Sequence, residues 1–205
     1  MNNRIKTIVF DYGNVIAKFD VGLFLKGIAP LSQLPLDELK IALSGSSDIF
    51  ADYETGLMTS DEFFSQLRHA CALSATETQF MTAYVSIFSP IETTADLIFK
   101  LKPFYKLALL SNTNEWHFQY QIRPNRVFPL FDAVSLSFRV KARKPSEAIY
   151  RDLITQLRVD ASECVFIDDI REYVDAACAL GMVGIQYTSH ESLLRSLDEV
   201  GVRVD

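Results

Sequence analysis

Five short apolar runs, each breaking off at or beside a polar residue, limit what this chain can become. They occupy residues 7–10, 107–110, 133–137, 164–167 and 183–186. Several are apolar almost without interruption, which is the pattern of strands covered on both faces rather than on one. The stretches between the last four carry helical spacing. Strands alternating with helices in this way build βαβ units and a largely parallel, doubly wound α/β sheet. The boundaries agree with that reading. Pro145 suits the first turn of a helix running to about Leu157. Gly181 suits the residue just past the helix at 173–180, and Ser189 suits the N-cap of the last helix.

The interval between the first two runs differs. Residues 17–90 offer no good strand candidate. Three capping-box patterns fall in or just after it: Thr59-x-x-Glu62, Ser74-x-x-Glu77 and Ser89-x-x-Glu92. In such a box the hydroxyl accepts from an orphan N–H of the first turn and the Glu reaches back to the cap residue. Helical apolar spacing follows the first two, through Phe63, Phe64 and Leu67 and then Phe80, Tyr84 and Phe88. A structureless loop of this length is improbable. The expected organisation is an α/β core from residues 1–16 and 91–205 with an all-helical cap, residues 17–90, inserted after the first strand. The cap aromatics Phe50, Tyr53, Phe63 and Phe64 read mainly as helix-bundle core, and Trp116 and Phe118 as core beyond it.

Four of the runs lead, at their carboxyl side, into a polar element: Asp11-Tyr12-Gly13-Asn14-Val15, Ser111-Asn112-Thr113-Asn114, Arg143-Lys144-Pro145 and Asp168-Asp169. Singly, each is an ordinary turn or cap. Together they matter, because open parallel sheets bind ligands beyond the carboxyl ends of their strands. Asp11, Asp168 and Asp169 would bring three negative charges into a small volume, where like charges raise one another's pKa or demand a cation. Lys144 supplies one positive charge and a divalent ion would supply the remainder. Carboxylates with a backbone carbonyl and water suit a hard ion such as Mg2+. No His/Cys cluster points to zinc; His69, His117 and His190 fall in unrelated segments and read as structural or surface residues.

These four elements, in this order, resemble the four motifs of the haloacid dehalogenase-like hydrolase superfamily, and the inserted helices resemble that superfamily's cap. The first motif is similar to that of bacterial phosphatases reading Asp-x-Gly-Asn-Val, a group that includes sugar-1-phosphate phosphatases. The resemblance implies a Mg2+-dependent phosphomonoester hydrolase acting on a small phosphorylated metabolite such as a sugar phosphate. Asp11 would be the nucleophile, forming an aspartyl-phosphate. Asp11, the Gly13 carbonyl and Asp169 would hold the metal, with Asp168 acting through water. Ser111 and the Asn112 N–H would bind phosphoryl oxygens, Tyr12 would lie at the substrate rim, and Lys144 would offset charge on the transferring group. Two departures stand out. Gly13 occupies the position where most of these phosphatases carry a second Asp as general acid and base, a group worth typically 10²- to 10⁴-fold in rate. Tyr173 stands where relatives commonly carry Asn. Two alternatives follow: a metal-independent 2-haloacid dehalogenase, which has less need of paired acids at 168–169, and a catalytically weak phosphoryl-ligand-binding member, which Gly13 favours.

Composition narrows the partners. The 205 residues carry 20 Lys and Arg against 26 Asp and Glu, a formal net charge of −6. The basic residues are scattered, and a nucleic-acid surface needs them clustered. Three cysteines (Cys71, Cys164 and Cys178) have no metal-binding spacing and read as buried thiols in a reducing compartment. No secretory signal pattern follows Met1, and no apolar run approaches the ~20 residues of a membrane helix. The expectation is a cytoplasmic protein with a small phosphorylated substrate and neither nucleic-acid nor membrane partners. Oligomeric state is not legible.

Overall fold

A computed structural model describes residues 5–204. Five parallel strands form the central sheet: β1 (Thr7–Phe10), β4 (Lys106–Ser111), β5 (Ala133–Leu136), β6 (Cys164–Asp168) and β7 (Val183–Gln186). Their order is β5-β4-β1-β6-β7, and every adjacent pair is parallel. Side chains alternate across a strand, so β1 divides two cores. Ile8 and Phe10 pack with Leu107, Leu109, Val165 and Ile167 under α6 (Glu92–Leu101) and α11 (His190–Glu199). Val9 packs with Ala108, Leu110 and Phe166 under α9 (Glu147–Leu157), with Ala177 of α10 (Arg171–Ala179) in the same cluster. Both faces of the sheet are covered, which is why its strands read as unbroken apolar runs. The doubly wound reading holds, and all five strands lie where the runs placed them.

The inserted segment forms a third cluster. Five helices build it: α1 (Val21–Ile28), α2 (Leu36–Ser44), α3 (Ser47–Glu54), α4 (Ser60–Ala70) and α5 (Glu77–Val85). Phe24, Ile28, Leu39, Tyr53, Phe63, Leu67, Phe80 and Tyr84 are its buried centre. Tyr53 stacks on Phe63 with centroids 4.1 Å apart, and Phe24 meets Tyr84 edge-on at 5.3 Å. Trp116, from the segment following β4, inserts its ring into this cluster, and its backbone N–H donates to the Tyr53 hydroxyl at 3.2 Å. The indole thereby ties the cap to the α/β core.

Several local expectations are corrected. The insertion is not purely helical: β2 (Ala17–Phe19) and β3 (Phe88–Pro90) form an antiparallel ribbon at its base, pairing Ala17 with Pro90 and Phe19 with Phe88. Three residues each, with two of the three exposed in β2, leave no alternation to read. Phe88 therefore belongs to a strand and not to α5. The Thr59–Glu62 capping box forms. The second box is Thr76–Gln79 and not Ser74–Glu77, because the Ser74 hydroxyl accepts from Gln33 Nε2 at 2.8 Å. Ser89 lies in β3, and α6 starts from Ile91 without a side-chain cap; Glu92 instead pairs with Arg126 at 2.7 Å. Pro145 precedes the N-cap residue Ser146 of α9 rather than entering its first turn. Gly181 is left-handed past α10, with φ +92°, and the Ser189 hydroxyl accepts from the Ser192 N–H, both as expected. Cys71 and Cys164 are buried, but Cys178 is exposed on α10. No described helix is long and apolar enough to cross a membrane.

Candidate active site

The sheet order puts β1 at the centre with β4 and β6 on either side, so the carboxyl ends of these three strands open into one cleft under the inserted helices. A cavity of about 340 Å3 lies there. Asp11, Gly13, Ser111, Asn112, Lys144 and Asp169 all line it, and Tyr12 contributes to its wall.

Lys144 is the hub. Its ammonium donates to Asp11 Oδ1 at 2.6 Å, to Asp168 Oδ2 at 2.6 Å and to the Leu110 carbonyl at 3.3 Å. The side chain is 1% exposed. The rings of Phe166 and Tyr173 lie 5.6 and 5.1 Å from the ammonium, close enough for favourable cation–π contact. Tyr173, the departure in the last motif, thus covers the lysine, and its hydroxyl accepts from Asn112 Nδ2 at 3.5 Å. The loop that presents Lys144 is pinned by the Asn112 amide. Its Oδ1 accepts from the Lys144 N–H at 2.7 Å and its Nδ2 donates to the Lys144 carbonyl at 3.1 Å.

The acids divide by what remains free on each. Asp168 is fully buried. One of its oxygens accepts from Lys144 and the other from the Ile170 N–H at 2.9 Å. Asp169 accepts from Asn14 Nδ2 through Oδ2 at 3.0 Å, which leaves Oδ1 open. Asp11 gives Oδ1 to Lys144 and turns Oδ2 toward Gly13. Asp11, Asp168 and Asp169 each offer an oxygen within 4.8 Å of the others. In the turn after β1, the Ala17 N–H bonds to the Tyr12 carbonyl and the Asn14 N–H to the Ala17 carbonyl. The Gly13 carbonyl between them is left out of that turn's bonding. An all-oxygen donor set with net negative charge fits a hard divalent cation.

Burial sets the electrostatics. It pushes the Asp11 carboxyl up to about 7, against the pull of Lys144 and with the help of Asp168. Burial also raises Asp168, again opposed by Lys144. For Lys144, burial alone would lower the ammonium, but the two carboxylates against it hold it above its ordinary value. Three acids facing one lysine are one dication short of balance.

Every residue assigned to the site from sequence lines this cleft except Asp168, which is buried beneath it against Lys144, and Tyr12 needs a qualification of role. The Tyr12 hydroxyl bonds to the Gln121 carbonyl at 3.1 Å and accepts from Asn125 Nδ2 at 3.2 Å, so only its ring faces the cavity. Arg143, Glu54 and His117 are among the cavity residues that went unassigned. Arg143 pairs with Glu54 of the inserted segment at 2.9 Å, and its Nε is buried without a partner; adjacency to Lys144 was its only signal. Burial raises Glu54, opposed by Arg143. His117 is buried: its Nε2 faces the Tyr84 carbonyl at 3.1 Å and its Nδ1 faces Asn114 Nδ2 at 3.0 Å.

Known proteins resemble this chain in sequence and fold. The chain is 29% identical over 189 residues to a D-ribitol-5-phosphate phosphatase of Bacteroides thetaiotaomicron, covering 89% of this chain and 91% of that one. It is 26% identical to a sesquiterpene phosphatase of Aspergillus oryzae, covering 92% of both chains. A HAD family enzyme of Bacteroides thetaiotaomicron, solved in complex with magnesium and inorganic phosphate, superposes with a TM-score of 0.81 at 26% identity. That match covers 90% of this chain and 94% of the other. The family model for haloacid dehalogenase-like hydrolases matches residues 5–181. With a cap over the carboxyl ends of a parallel sheet and a Lys-centred acidic cluster beneath it, the chain belongs to the haloacid dehalogenase-like hydrolases.

Proposed function

We propose that this hydrolase is a Mg2+-dependent phosphatase that cleaves phosphate monoesters of small metabolites through Asp11. The observation that carries the reading is the division of labour around Lys144: one oxygen of Asp11 is held by the ammonium while the other turns toward Gly13, in a cluster with Asp168 and Asp169. The two phosphatase relatives, and the related enzyme holding magnesium and phosphate, support it.

Asp11 Oδ2 attacks phosphorus, the bond from phosphorus to the ester oxygen breaks, and the departing alkoxide takes its electron pair. Gly13 carries no acid, so the alkoxide takes its proton from water. A water molecule then attacks the phosphorus of the Asp11 phosphate, releasing inorganic phosphate and restoring the carboxylate. Lys144 keeps one Asp11 oxygen in place and offsets charge on the transferring group. The Ser111 hydroxyl and the Asn112 N–H hold phosphoryl oxygens, the Asn112 side chain being committed to Lys144. Asp11, Asp169 and the Gly13 carbonyl would ligate Mg2+, with Asp168 acting through water. The bound ion would neutralise phosphoryl charge and orient the group.

Turnover of 4-nitrophenyl phosphate tests this directly. Wild type is expected to release nitrophenolate with Mg2+ and to stop on addition of EDTA, and Asp11→Asn is expected to be inactive. Equal rates in all three would overturn the reading. Saturable phosphate-ester binding without turnover would favour the phosphoryl-ligand-binding alternative that Gly13 suggests.

A further inference from the structure

The chemistry above uses only the floor of the cavity; the walls carry different information. The inserted segment contributes eight lining residues, and six of them are apolar. Phe24, Phe50, Ile87 and Phe88 form the inner wall. Phe19 and Val21, with Ile170 from across the cleft, line the cavity yet stand 43%, 60% and 43% exposed. They make an apolar lip on a surface where exposed hydrophobic clusters mark binding sites.

The segment's two polar lining residues are already engaged. Glu54 pairs with Arg143, and the Tyr84 hydroxyl accepts from Asn114 Nδ2 at 2.9 Å. Nearby, the ring nitrogens of His117 and the hydroxyl of Tyr12 are likewise spent within the protein. A polyol body placed against the six apolar residues of this wall would surrender hydrogen bonds to water that they cannot replace, the unpartnered Arg143 Nε lying outside the inserted segment, and each such loss costs on the order of tenfold in affinity per hydroxyl. A hydrocarbon body would gain roughly fourfold per buried methylene.

Resting on the phosphatase reading above, we infer that the preferred substrates are phosphate monoesters whose organic part is a hydrocarbon, with the phosphate on the acidic floor and the hydrocarbon against Phe24, Phe50, Ile87 and the Val21 lip.

The test compares n-hexyl phosphate with a hexitol 6-phosphate, which share six carbons and a primary alkoxide leaving group and differ in hydroxyls. Turnover of the two esters is measured with Mg2+, and calorimetry follows binding of the two matching phosphonates, which cannot be hydrolysed. The hexyl compounds are expected to lead at least tenfold in kcat/KM and in affinity. Val21→Asn, at an exposed position that leaves the core intact, is expected to raise KM for hexyl phosphate at least threefold without changing inhibition by inorganic phosphate. Equal or better binding of the hexitol phosphonate, or an unmoved KM in Val21→Asn, would overturn the inference. Absence of all turnover with hexylphosphonate still bound tenfold tighter would instead overturn the phosphatase reading, with the apolar preference of the cleft kept as a binding property and not as a substrate preference.

Discussion

At Gly13 the backbone has room for a side chain. A Cβ built there would lie 3.8 Å from Asp11 Oδ2, an ordinary contact, and its φ lies outside the left-handed region. Glycine is therefore not required by the turn, and its effect is chemical: the position beside Asp11 holds no proton donor. Gly13→Asp is expected to speed cleavage of alkyl phosphates, whose leaving group needs a proton, by up to about 10²-fold. It should change 4-nitrophenyl phosphate turnover little, because nitrophenolate leaves unassisted. Equal effects on both substrates, compared by kcat, would show that the new carboxyl acts otherwise than as an acid. Residues of this kind were legible in the sequence because each interrupts an apolar run: Asp11, Ser111 and Asp168 terminate strands, and one glance along the chain finds them. Arg143, Glu54 and His117 were not. Glu54 ends a cap helix and meets Arg143 only when the cap closes over the sheet, and nothing local to either residue announces the partner.

The elements show the same divide between local and tertiary signals. Strands buried on both faces read clearly from composition, and Thr59 with Glu62 announced α4. The β2–β3 ribbon was missed because its pairing is long-range and its strands are too short for a period. Gly56 belongs to the same class. It sits at φ +63° after α3, where a Cβ would collide with the Phe138 carbonyl, so the cap and core approach each other there through bare backbone. The short helix α7 (Glu115–His117) is the other joint. Trp116 enters the cap cluster while His117 stacks on Tyr84, with centroids 4.3 Å apart. Burial drives the His117 imidazole down to about 4 from 6.5. The neutral ring suits its partners, since Nε2–H donates to the Tyr84 carbonyl and Nδ1 accepts from the Asn114 amide. A second ring proton would confront that amide donor. Between about pH 6.5 and 4 the unfolded chain therefore holds a proton that the folded one lacks, and stability falls as pH falls. The contribution is roughly 3 kcal/mol across that window. Urea midpoints followed from pH 7 to 4 are expected to drop more steeply in wild type than in His117→Gln. Parallel curves would mean that the ring titrates alike in both states.

For the molecule as a whole, the sheet order forces a charge problem that a cation resolves. Placing β1 between β4 and β6 brings Asp11, Asp168 and Asp169 to one rim, and the loop after β5 adds Lys144. The resulting imbalance has a thermodynamic signature with a definite sign. With Asp11 raised to about 7 from its ordinary 3.8, the metal-free folded state keeps a proton across that window which the unfolded chain has released. This carboxyl therefore lowers stability as pH rises from about 4 to 7, opposite to the trend from His117. Mg2+ held by the ionised cluster would have little affinity for the unfolded chain, so it would stabilise by mass action. It must displace the Asp11 proton at acid pH and none at alkaline pH. The rise in Tm on adding 10 mM MgCl2 is expected to be larger at pH 7.5 than at pH 5.5 and to vanish with EDTA. Asp11→Asn, which cannot ionise there, should be less dependent on pH without metal and should gain less from Mg2+ at pH 7.5. A Mg2+ effect that is constant across pH, or strongest under acid conditions, would show that the ion does not compete with this proton. The Lys144-centred cluster would then be a closed ion network rather than a site waiting for a dication.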